Sequence, residues 1–165
     1  MLNFSFGGFF FFPNCDESIR SINFLLPGGD VTLTDQLPVL HQIARNVTTN
    51  ISPEQIHRAK VRELAWGKEL KCYPSDFDFI LGSDIIYSKI SFPLLLQTLL
   101  HLSSQNTIIY LSSEMKYKFI VDEAYVNLLT KYFNSEIVSR DNELDINLYR
   151  MTKKCPDTEI PQLCK

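Results

Sequence analysis

Residues 77–87, FDFILGSDIIY, restrict the fold more than any other stretch of the chain. A continuous apolar run of this length predicts a strand over 77–83, buried on both faces as in a parallel sheet covered by helices. Asp84 closes the run and Tyr87 follows three places later. In open α/β sheets a ligand sits outside the carboxyl ends of the strands. A carboxylate there faces a cleft, whereas inside the run it would be a costly buried charge. Asp84 is therefore a candidate site residue. A polar residue that merely ends a strand looks the same, and on this segment alone that plainer reading has the better case.

The rest of the chain supplies the helices that such a strand requires. Asp16, Glu17 and Ser18 precede an apolar stretch, Ile19 to Leu26, that stops at Pro27-Gly28-Gly29 and predicts a short helix. VTLT (31–34) is a strand ending at Asp35. Leu37, Leu40, Ile43, Ala44 and Val47 recur at helical spacing, with Pro38 in the first turn. AKVREL (59–64) is a strand, the segment around Trp66-Gly67 a loop, and Tyr73-Pro74-Ser75 a turn. FPLLLQTLLHL (92–102) is an apolar helix with Ser91 as N-cap and Pro93 in its first turn. TIIYLS (107–112) is a strand and 123–133 a helix. EIVS (136–139) and DINLYRM (145–151) follow with only a turn between them, so they predict an antiparallel pair. Alternating β and α elements mean a mostly parallel sheet with helices on both faces. The closing pair adds an antiparallel strand near one edge.

Length and charge narrow the function. A chain of 165 residues makes one domain with a real core. A formal net charge of −3 provides no basic field for nucleic acid. Cys15, Cys72, Cys155 and Cys164 have no C-x-x-C spacing and no histidine at metal-ligand spacing, which reads as reduced thiols and no metal. The aromatic start, LNFSFGGFFFF (2–12), lacks the basic n-region of a secretory signal and is too short to span a bilayer, so no membrane partner is expected. It reads as a buried strand or a sticky end. The sequons at Asn46 and Asn50 then carry no meaning, because glycosylation needs secretion.

Three strand-end features point to one chemistry. Asp35 closes a strand where doubly wound folds hold ribose hydroxyls, because a carboxylate accepts from two vicinal OH groups, although Asp is also a good helix cap. Trp66, the only tryptophan, lies in the loop after strand 59–64. An indole can stack on a purine, although a lone Trp is more often core. With Asp84 they outline a nucleoside pocket on one rim. His41, His57 and His101 lack acidic or Cys partners at motif spacing, and Ser83 lacks the nucleophile-elbow glycines.

These residues resemble the seven-strand S-adenosylmethionine-dependent protein-lysine methyltransferases of the methyltransferase-like 21 family. The matching pieces are GGDVTLTD (28–35), VRELAWG (61–67), FDFILGSDIIY (77–87), FPLLLQTLLHL (92–102), TIIYLSSEMK (107–116) and DINLYR (145–150). The resemblance implies an α/β, Rossmann-like fold with a mostly parallel sheet, an antiparallel strand near the C-terminus and an atypical first strand. It implies S-adenosyl-L-methionine as cofactor, with Asp35 on the ribose, Trp66 beside the adenine and Ser83 where the family usually has Ala. It places Asp84 and Tyr87 at the methyl-transfer mouth, holding the incoming amine and assisting its deprotonation. The implied substrate is a protein, translation elongation factor 1-alpha, and the resemblance allows a centrosomal pool; with no targeting signal in the sequence, a cytoplasmic monomer is the default expectation.

One departure matters. The family carries a Gly-rich loop after its first strand; here the corresponding residues are FFFFPNCDES (9–18), with no glycine. Pro13, Asn14, Cys15 and Asp16 are expected to crowd the cofactor's methionine end, and Asp16 and Glu17 to add negative charge there. Residues 1–27 thus read as an atypical segment replacing the first strand and its loop, as in a truncated or alternatively spliced form, with Phe9 to Phe12 as a surrogate strand. Residues 28–153 read as the methyltransferase core and 154–165 as a flexible tail. A catalytically impaired form acting as a protein-binding module, and a small-molecule methyltransferase, are the competing functions.

Overall fold

The structure is a computed structural model that describes residues 7–11, 29–83, 85, 86, 88–114 and 123–155. Strands β1 (Gly7–Phe11), β2 (Asp30–Asp35), β3 (Ala59–Glu63), β4 (Phe79–Ser83), β5 (Ile108–Glu114), β6 (Phe133–Asp141) and β7 (Ile146–Lys153) form one sheet in the order β3-β2-β1-β4-β5-β7-β6. Pairing is parallel throughout β3-β2-β1-β4-β5. β7 runs antiparallel to both β5 and β6, so β6 points the same way as the first five strands. The chain is an α/β protein with a mixed sheet, as the alternation of elements predicts.

Helix α1 (Leu40–Asn50) covers one face and helices α2 (Phe92–Leu102) and α3 (Glu123–Tyr132) the other. Period-2 alternation divides the side chains. Ile80 belongs to the cluster under α2, with Ile109, Leu111, Leu95, Leu96 and Leu99. Its neighbour Leu81 packs instead with Val31, Leu33, Ile43 and Val47 beneath α1. Seven of the eleven α2 residues are buried, including Thr98, because the helix is wedged between the sheet, α3 and the loop after β3. Such a helix has to be apolar on nearly every side.

Several boundaries differ from expectation. β4 begins at Phe79 rather than residue 77, because Phe77 turns its ring into the core and its carbonyl accepts the Thr107 hydroxyl. Ser91 does not cap α2: its backbone is already helical, and its hydroxyl donates to the Ser88 carbonyl. The 123–133 helix stops at Tyr132, where Phe133 opens β6. Lys154, assigned to the tail, donates its backbone N–H to the Tyr132 carbonyl at 2.8 Å. The surrogate central strand runs over Gly7–Phe11 rather than Phe9–Phe12, between β2 and β4. The helix expected over 19–26 lies outside the described residues, as does the tail from residue 156.

Candidate functional site at the carboxyl rim of the sheet

The register fixes a row of residues across the carboxyl ends of the strands. Phe11 pairs with Thr34 on one side and Gly82 on the other, so Asp35 and Ser83 share the next level, flanking the end of β1. Asp35 pairs outward with Glu63, and Ser83 with Ser112. By alternation from Leu33 and Leu81, all four lie on the face that α1 covers. Two strand spacings separate Asp35 from Ser83, about 10 Å at roughly 4.8 Å per strand. Residues 35 and 83, some fifty positions apart in sequence, thus meet on one short stretch of rim.

Asp35 is half-buried, and one carboxylate oxygen accepts the Gln36 N–H at 2.6 Å. Burial holds its pKa above the ordinary carboxylate value, and the Gln36 hydrogen bond opposes that rise. Its second oxygen has no partner among the described residues and remains available to accept. Ser112 donates its hydroxyl to the Ser83 hydroxyl at 2.9 Å, which leaves the Ser83 proton to be given elsewhere. Ser112 and Glu63 were not singled out from sequence. Register alone reveals them, and the parallel endings LGS and YLS were the signal available.

Trp66 follows β3 and sits on the same rim, but its partly buried ring packs against the cluster under α2. It therefore faces the other side of the sheet from the Asp35 row. The Leu64 N–H donates to the Asp35 carbonyl at 2.9 Å, tying the start of this loop to the end of β2. Gly67 has φ of +74°, a left-handed backbone that favours glycine. A Cβ there would also meet Leu94 Cδ2 at 2.7 Å, so the loop lies flat on α2. The Gly67 N–H donates to Thr98 Oγ1 at 2.9 Å, and Thr98 in turn donates to the Leu94 carbonyl at 2.8 Å. Trp66 is thus held by packing at the rim. Asp84 and Tyr87 lie outside the described residues, and so do Pro13, Asn14, Cys15, Asp16 and Glu17.

A separate open hollow of about 540 Å³ lies along β3, lined by Arg62, Glu63, Lys68, Glu69, Cys72 and Tyr73 among others. The loop after β3 folds back over this edge. The Tyr73 hydroxyl donates to the Glu63 carbonyl, and the Arg62 guanidinium lies 4.4 Å from the Tyr73 ring centre. Burial raises the Tyr73 pKa, with Arg62 opposing. Of the rim row, only Glu63 lines this hollow; Asp35, Ser83 and Ser112 do not.

Comparison with known proteins gives this rim a context. A family model described as lysine methyltransferase matches residues 19–132. The chain is 41% identical over 128 residues to EEF1A lysine methyltransferase 3 of Xenopus tropicalis, covering 78% of this chain and 56% of that protein. It is 40% identical over 136 residues to protein N-lysine methyltransferase METTL21A of Danio rerio, covering 82% of this chain and 62% of that one. It therefore spans somewhat more than half the length of these relatives. Among solved structures, the glycopeptide N-methyltransferase MtfA complexed with (S)-adenosyl-L-methionine superposes with a TM-score of 0.69 at 10% identity, over 91% of this chain and 88% of that one. A TehB-like SAM-dependent methyltransferase from Corynebacterium glutamicum superposes with a TM-score of 0.66 at 11% identity, over 93% and 83%. These likenesses establish a Rossmann-like methyltransferase fold, and with the family match covering most of its length the chain belongs to the lysine methyltransferase family.

Proposed function

We propose that this chain is an S-adenosylmethionine-dependent protein-lysine N-methyltransferase acting on translation elongation factor 1-alpha. The observation that carries the reading is the rim row: a half-buried carboxylate with one free oxygen and a hydroxyl pair at the same level, flanking the central strand. We read the sheet as the seven-strand methyltransferase arrangement, with Gly7–Phe11 in the place of its first strand. The row fits an adenosyl group. Asp35 accepts from ribose hydroxyls and Ser83 donates. When bound, the cofactor supplies a methyl group already activated on a sulfonium, so no metal is required.

The chain's own part is positioning and proton management. Asp84 follows β4 directly in sequence and Tyr87 comes three places later. An acid and a phenol there orient the incoming lysine amine and take up its proton, leaving the lone pair free to attack. The names of the relatives support the protein substrate. A cytoplasmic monomer is part of the same proposal.

Calorimetric titration with S-adenosylmethionine and S-adenosylhomocysteine tests the reading. Binding is expected, and Asp35→Ala should weaken it by roughly 1.5–3 kcal/mol, the usual worth of a hydrogen bond to a charged group. Because burial raises the Asp35 pKa, the ionised form that accepts both ribose hydroxyls is lost at a higher pH than for an ordinary carboxylate. Cofactor affinity should therefore fall as pH drops through that raised value. The unliganded fold behaves oppositely: Asp35's contribution to stability is present at low pH and is lost as pH rises through the folded value. Asp84→Asn should lower turnover more than cofactor affinity. A second reading, a non-catalytic protein-binding form, is favoured by the glycine-free segment FFFFPNCDES (9–18). No detectable binding at millimolar cofactor would select it and reject the first.

A further inference from the structure

We infer that the β6–β7 hairpin is the surface on which the protein substrate docks, and that it takes a basic face of a folded protein. The inference rests on the protein-lysine methyltransferase reading above and adds where the substrate is held.

The hairpin stands beside the candidate site. Because β6 runs parallel to β1–β5, its turn emerges on the same rim as Asp35 and Ser83. The Ser112 row continues through Leu148 to Ser139, so β6 passes three strands from Ser83, about 14 Å away. From that row β6 and β7 run two residues further, to the Asp141–Ile146 pair, and the turn projects beyond them. β5 reaches the same level at Glu114, so the hairpin and β5 together stand roughly 7 Å past the Ser83 level, and the turn lies beyond.

Its composition is that of a contact surface. Eight of the nine β6 side chains are exposed, the exception being Phe133. Ile137 is 56% exposed, Val138 45% and Leu144, in the turn, 61%. A bulge at Val138 sets two successive residues against one on β7 and leaves Val138 outside the ladder. Exposed apolar side chains gathered on one edge strand and its turn are an aggregation liability unless a partner covers them.

Charge selects the partner. Arg140 pairs with Asp145 and Arg150 with Glu136, both at 2.9 Å. Asp141 and Glu143 have no cationic partner among the described residues, so the turn carries two uncompensated acids beside Leu144. The turn is preformed. Asp141 accepts the N–H groups of Glu143 and Leu144 at 2.9 and 3.0 Å, and Arg140 donates to Asn142 at 2.9 Å. A rigid acidic loop around an exposed leucine matches a basic, lysine-bearing surface better than a second copy of this acidic chain.

The test uses the full chain and purified translation elongation factor 1-alpha as the probe, with Leu144→Ser and Glu143→Lys as variants. Interferometry measures binding, and steady-state methyl transfer separates KM from kcat. Each variant is expected to raise the Kd and the KM for the protein about tenfold. The kcat, the cofactor Kd and the melting temperature should stay at wild-type values. Unchanged Kd and KM would overturn the docking surface while leaving the enzymatic reading intact. Binding that depends on the hairpin without any methyl transfer would do the reverse. A wild-type dimer dispersed by Leu144→Ser would overturn it in favour of self-association, and wild-type chain that does not bind the probe at all would also overturn it.

Discussion

The two edges of the sheet meet solvent in opposite ways. β3 is closed by its own chain: the loop after it returns to lay Tyr73 under Arg62 and to satisfy the Glu63 carbonyl. Lys60 and Arg62 add exposed charges of the kind that discourage strand addition. β6 is longer, exposed on both faces beyond its first residue, and carries Ile137 and Val138 in the open. An edge that folds its own cover needs nothing further, whereas an open apolar edge persists where something else covers it.

Four substitutions break or sharpen that contrast. Phe133→Ala has the largest expected effect. Phe133 is the one fully buried residue of β6, so its loss should cost about 3–5 kcal/mol, read as a drop in thermal midpoint. A small loss would mean that β6 is held by its ladder to β7 rather than by this anchor. Tyr73→Phe comes next. It removes the hydroxyl that satisfies the Glu63 carbonyl and should cost about 1 kcal/mol by urea denaturation. Arg62→Ala removes a cation stacked on a ring and a 3.3 Å bond to the Cys72 carbonyl, both exposed, and should cost less than about 1 kcal/mol. Ile137→Thr should leave stability within about 0.5 kcal/mol while reducing light scattering on storage. If Arg62→Ala increased scattering more than Ile137→Thr reduced it, β3 rather than β6 would be the edge that needs guarding.

Sequence made the buried elements easy to find. The helix over 92–102 is read to the residue because it is apolar on nearly every side and opens with Phe92-Pro93. β2, β3 and β5 are displaced by one or two residues at most. What eluded sequence was contact across the sheet. The Ser83–Ser112 pair is a register fact, and no periodicity in either strand announces it. β6 was read at less than half its length, because a strand exposed on both faces has no alternation to follow. The return of the 65–73 loop over β3 depends on one aromatic hydroxyl finding one carbonyl, which composition cannot encode. Of the three rim residues singled out from sequence, Asp35, Trp66 and Asp84, only Asp35 stands in the row with Ser83 and Ser112, and Asp84 lies outside the described residues. Trp66 has a place on the rim, and its ring packs into the core on the other face.

The reversed direction of β7 has a practical consequence. Its last residues, paired with the beginning of β5, sit at the end of the sheet remote from Asp35 and Ser83. There Lys153 grips the Leu100 and Ser103 carbonyls at 2.8 and 2.9 Å, fixing where the polypeptide departs. A fluorophore on the exposed thiol of Cys155 would ride on this anchored far end, a stationary reference from which movements at the opposite pole can be gauged without blocking it.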